Sequence, residues 1–137
     1  MTWLAYALAT VVLWTGWSFL GAIAMRSVNA AQATLLFGVA TVVVGLAGLA
    51  VSGGAAAWSA SALGVAAISV TCGAAGMITF YLALGSGKAS SVVPVIGVYP
   101  ALVAILAAAL LSQSLTLTQA VGVAPAVLGV VLVGSGG

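Results

Sequence analysis

The sequence has no aspartate, no glutamate and no histidine, and Arg26 and Lys88 are its only charged side chains. An ordinary soluble domain devotes about a quarter of its residues to charge. Each absence excludes something. General acid–base catalysis needs a positioned group that titrates near the working pH, and none of the usual side chains is present, so no enzyme is expected. Ser86 and Lys88 are close enough in sequence to suggest a dyad, but Gly85 and Gly87 beside them mark a loop. Cys72 is the single cysteine, so it forms no disulfide within the chain. With three methionines it makes too small a ligand set for a metal site, and no cofactor is expected. Proton relays inside membranes run on Asp, Glu and His, so proton coupling is not expected either. A formal charge of +2 with no basic patch gives nothing that follows a phosphate backbone, which excludes nucleic acid.

What remains is apolar. Hydrophobic residues make up 65% of the 137 positions. They cannot build a water-facing surface, and a bilayer removes the need for one. A membrane helix takes about 20 apolar residues, which leaves room for four to six spans and short loops, with no space for a separate soluble domain. The first apolar run lacks a cationic flank and is too long for a signal segment, so it is expected to stay as a helix. Punctuation divides the chain into five helices, at about 3–25, 31–51, 60–84, 90–111 and 118–133. Barrel strands alternate over about ten residues, and these longer runs do not alternate. The expected fold is an all-α integral membrane protein, a bundle of five transmembrane helices in a single domain.

Small residues fall in stripes. In the second helix Thr34, Gly38, Thr41, Gly45, Gly48 and Ser52 follow helical spacing on one face. The third helix has Ser69, Cys72, Gly73, Gly76 and Thr79 on one side, the fourth has Pro94, Gly97, Ala101, Ala104 and Ala108, and the fifth has Gly122, Ala126 and Gly129. Helices in lipid associate through close packing of small faces, so the stripes are expected to be interfaces. The other use of such a face is to line a narrow path.

Trp3 and Trp58 lie near helix ends, where indoles anchor at the membrane interface. Trp14 and Trp17 lie deep in the first helix, with Ser18 and Gly21 on roughly the same face. A buried indole N–H needs a partner, so this group either lines a cavity or packs the bundle. The same alternatives hold for Tyr81 and Tyr99. Pro94 and Pro100 each remove an N–H and free a carbonyl, so the fourth helix is expected to kink and to wall any cavity. Pro125 is expected to kink the fifth. With five spans, Arg26 and Lys88 fall on the side opposite the N-terminus, and the positive-inside rule puts the N-terminus out and the C-terminus in.

Three stretches, in order and at consistent spacing, resemble the EamA-type half of the drug/metabolite transporter superfamily. The first is Trp14-Thr15-Gly16-Trp17-Ser18-Phe19. The second runs from Phe80-Tyr81-Leu82-Ala83-Leu84 through Gly87-Lys88-Ala89-Ser90 to Pro94 and Tyr99-Pro100. The third is Leu115-Thr116-Leu117-Thr118-Gln119 with Gly122 and Gly129. Two positions depart from the family pattern. Gln113 stands where an acid is usual before the last turn, and Ala22 where a lysine is common near the end of the first helix. Both departures remove charge, as deliberate charge depletion of a family member would.

The resemblance implies a transporter of small metabolites in a bacterial or archaeal inner membrane, with its pathway among the first, third and fourth helices. The pathway candidates are Trp14, Trp17, Ser18, Thr79, Tyr81, Pro94 and Tyr99. Consecutive five-helix halves insert in opposite orientations, so a single half rebuilds the full architecture as an antiparallel homodimer. The expected partners are the lipid bilayer, a second copy and a small neutral or amphipathic solute. The alternative is an engineered, charge-depleted scaffold that folds and transports nothing.

Overall fold

The computed structural model describes residues 2–54 and 59–135, and every regular element among them is a helix. Trp58 lies outside the described residues, as do Gly136 and Gly137 of the tail. The helices are α1 (Thr2–Ala24), α2 (Ala30–Val51), α3 (Ala60–Ser86), α4 (Ala89–Ile96), α5 (Tyr99–Leu110) and α6 (Leu117–Ser135). Four runs among the described residues are long and apolar enough to cross a membrane, with Ala89–Leu110 counting α4 and α5 together. The last apolar stretch, Leu117–Val133, is shorter. The chain is an all-α integral membrane protein.

Polar residues act mainly at helix ends. Gln32 N–H donates to the Asn29 side-chain oxygen at 2.9 Å, and Asn29 N–H donates to Gln32 Oε1 at 3.0 Å. This reciprocal box satisfies donors that α2 cannot satisfy itself. Thr116 and Gln119 make the same exchange, with Thr116 N–H donating to Gln119 Oε1 at 2.9 Å. That box starts α6 one residue ahead of the expected Thr118. At the other end of α2, Gly53 and Gly54 adopt φ of 82° and 109°, and Gly54 N–H reaches the Leu49 carbonyl at 3.0 Å. Only glycine takes this left-handed exit without strain. α3 runs through Gly85 to Ser86, two residues past the expected end, and the Ser86 hydroxyl bonds back to the Leu82 carbonyl at 2.8 Å.

The fourth run, expected as one kinked helix, is two helices: α4 passes through Pro94 and ends at Ile96. The break falls at Gly97–Val98, immediately before α5, which carries Pro100 in its first turn. The reason is positional. A proline ring clashes with the carbonyl four residues earlier, and for Pro100 that residue is Ile96. Once a new helix begins, Pro100 sits where no N–H is needed. Gly97 fits the break because a Cβ there would lie 3.1 Å from the Pro94 carbonyl oxygen.

The described residues divide into two compact units, Met1–Ser86 and Gly87–Gly137. In the first, α3 packs against both α2 and α1. Its buried residues, Ala30, Ala33, Phe80, Tyr81 and Leu84, all lie toward one end of the three helices. Toward the other end, residues 3–16, 38–54 and 59–76 are exposed. The expected stripes of the second and third helices lie largely in that exposed part. A Cβ added at Gly38, Gly45, Gly48, Gly73 or Gly76 would meet nothing within 4 Å. These stripes are therefore not packed against a neighbour inside their own unit. Lipid supplies no hydrophobic drive between helices, and the strongest contacts in this unit are aromatic ones at the opposite end. In the second unit α6 packs against α4 and α5, with Ala101 buried.

Candidate functional site

The aromatic cluster that holds the first unit together is also where a site forms. Trp14, Trp17, Gly21 and Ala24 recur at helical spacing along one side of α1, and Phe80, Tyr81 and Leu84 occupy the facing side of α3. Gly21 lets the two helices approach: a Cβ there would lie 3.5 Å from the Tyr81 ring and 3.7 Å from Leu84. At this distance Trp17 stacks on Phe80 with ring centroids 4.7 Å apart and an interplanar angle of 21°. Its edge meets Tyr81 at 6.1 Å, and α2 adds Phe37 at 5.5 Å. Trp14 packs against Trp17 edge-on at 6.5 Å.

A hydrogen bond orders the cluster. The Trp17 indole N–H donates to the Tyr81 hydroxyl oxygen at 2.9 Å. An indole N–H is costly to leave unpaired in hydrocarbon, and the Tyr81 oxygen accepts it. Tyr81 is only 5% exposed, so its hydroxyl is held in place.

Because α1 and α2 both lie against α3, a groove remains between them. It has a cavity volume of about 350 Å³. Trp17, Leu20 and Gly21 form one wall, Leu36 and Phe37 the other, and Tyr81 lies at its base. A second, more polar cup of about 560 Å³ adjoins it at the turn between α1 and α2. Arg26, Ser27, Asn29 and Ser86 line this cup. Val28 and Tyr81 line both spaces, which makes them neighbours.

The structure brings Trp14, Trp17 and Tyr81 together, with Trp14 at the rim and 52% exposed. Ser18 is half-buried on α1 and does not line the groove. Thr79 is exposed, and its hydroxyl donates to the Gly76 carbonyl at 2.9 Å. Pro94 and Tyr99 belong to the second unit, where both are exposed. Phe37, Phe80 and Arg26 were not among the expected pathway residues. Phe37 follows Ala30, Ala33 and Thr34 at helical spacing, a packed face that its own sequence signals. In the sequence Arg26 carries only a topology signal.

Other hydroxyls along α1–α3 turn inward to their own backbone. Thr10 donates to the Tyr6 carbonyl, Thr15 to Val11, Thr41 to Phe37 and Thr71 to Ala67, at 2.7 to 2.9 Å. Such bonds let a hydroxyl face lipid without an unmet donor. Among the described residues no group of three or more metal-ligating side chains forms.

Comparison with family models matches residues 1–135 to the EamA-like transporter family. The chain belongs to that family. The match covers almost the whole sequence, as the motif resemblance does. EamA proteins are membrane transporters of the drug/metabolite transporter superfamily rather than enzymes. Comparisons with curated proteins and with solved structures return no match.

Proposed function

We propose that this EamA chain is a half-transporter that moves a small neutral or amphipathic metabolite without proton coupling, along a path that uses the α1–α2 groove. The observation that carries the reading is the Trp17–Tyr81 hydrogen bond at the base of that groove. It fixes a polar pair on an otherwise apolar wall, which is the composition expected of a small-molecule site. Trp14 and Ser18 flank the path on α1.

The functional form is an antiparallel homodimer in a bacterial or archaeal inner membrane, in which each copy supplies the inverted half that the other lacks. Individual chains carry the N-terminus outside and the C-terminus inside by preference, and the two-cation balance is slight enough to allow both insertions. The absence of Asp, Glu and His supports uncoupled, gradient-driven movement.

The test is solute flux into proteoliposomes with a panel of neutral and amphipathic metabolites. Flux that collapses in Trp17→Ala, and that leaves internal pH unchanged, is the expected result. A correctly inserted protein that passes nothing in the panel would make the scaffold reading the better one. Proton movement locked to solute movement would overturn the uncoupled mechanism.

A further inference from the structure

The groove and the cup differ in chemistry and share a boundary. The groove is walled by Leu20, Leu36, Phe37 and Trp17, all apolar or aromatic. The cup contains Arg26, one of two charged side chains in the chain. Among the described residues the Arg26 side chain makes no hydrogen bond, and the sequence has no carboxylate side chain to pair with it. Arg26 is exposed just past the end of α1, where a long cationic side chain reaches the membrane interface and can take an anionic group from outside the chain. Trp17 stands seven residues before the end of α1 at Ala24, about 10 Å of helix rise. The apolar trough thus extends about two helical turns away from the cation.

We propose that this double site takes a single-chain anionic amphiphile, its head on Arg26 and its apolar body along the α1–α2 groove. This inference rests on the transport reading and names the class of its solute. A neutral solute leaves Arg26 unpaired, and a small hydrophilic anion leaves the groove unfilled. An alkyl phosphate satisfies both at once, because the planar guanidinium fork matches phosphate oxygens two at a time. Lys88 supplies a built-in control, since it is the other cation and lines neither space.

The experiment is equilibrium binding of radiolabelled decyl phosphate to the full chain in phosphatidylcholine nanodiscs, with empty nanodiscs subtracted. The expected result is saturable binding that weakens about tenfold or more in Arg26→Gln, as loss of a charge-assisted hydrogen bond does. Arg26→Lys should recover part of the loss, and Lys88→Gln should bind like the parent chain. Decanol and inorganic phosphate should each compete poorly, since each satisfies half of the site. Equal binding by Arg26→Gln and the parent would overturn the proposal. So would inorganic phosphate competing as well as decyl phosphate, which would make this a free-anion site. Loss of binding when phosphatidylglycerol replaces phosphatidylcholine would overturn it too, because a bilayer lipid would then be the occupant. Binding without flux in the vesicle assay leaves the site standing and defeats the transport reading. Flux of other solutes without decyl phosphate binding does the reverse.

Discussion

The two ends of the α1–α3 unit are made of different residues and behave differently. At one end Trp17, Phe37, Phe80 and Tyr81 meet across three helices, with Gly21 and Ala33 allowing the approach. At the other, Gly38, Gly45, Gly48, Gly73 and Gly76 present smooth surfaces that contact nothing inside the unit. Small residues permit close packing and do not cause it. In lipid the attraction comes from dispersion between matched surfaces and from interhelical hydrogen bonds, and only the aromatic end has both. A glycine gains a role when a large neighbour fills the space above it, as Tyr81 and Leu84 do over Gly21.

This contrast can be broken experimentally. Trp17→Ala removes the ring that touches all the others in the cluster and should cost about 3 to 5 kcal/mol, the range for a large aromatic truncated in a core. Val42→Ala at the open end should cost far less. Comparing the two variants in a reversible detergent unfolding titration checks this, and equal losses would mean that the open end is packed in the membrane. Glycine enlargement is the next largest effect. Gly21→Val has to push Tyr81 aside and should destabilise by about 1 to 3 kcal/mol, whereas Gly45→Val should pass almost unnoticed. If Gly45→Val proves as harmful, a neighbour outside this unit covers the α2 stripe. Tyr81→Phe removes only the acceptor for the Trp17 indole. It should cost about 0.6 kcal/mol, the average for interhelical hydrogen bonds in lipid, and no more than about 1.7 kcal/mol, and should shift the Trp17 emission spectrum. Smallest of all, Thr41→Val deletes a hydroxyl that serves its own helix, and in the same titration its unfolding free energy should change by no more than about 0.5 kcal/mol.

Some of this was legible in the residues alone. Helix positions followed from apolar length and punctuation, because a span must satisfy its backbone internally. Ser52-Gly53-Gly54 ended α2 where expected, since a left-handed exit needs glycine. That the fourth run would not be straight followed from Pro94 and Pro100, but the place of the break did not. Two prolines competed to explain one kink, and only the start of a second helix at Tyr99 shows that Pro100 sets it. The pairing of Trp17 with Tyr81 joins positions 64 apart in the chain. Each residue signalled a need for a partner, but nothing in local spacing says which partner. The stripes divide: Ala101, Ala104 and Ala108 form the more buried face of α5, whereas the α2 and α3 glycines meet nothing inside their unit, because periodicity identifies a face and is silent about what covers it.

An indole nitrogen can only donate, so the tyrosine oxygen takes the accepting part and its own proton is left uncommitted to Trp17. Tyr81 borders both the groove and the Arg26 cup. The base of the site therefore offers a visitor a hydroxyl proton whose oxygen is already anchored. On the path proposed above, a solute that carries a lone pair a short way down from its head would meet that proton.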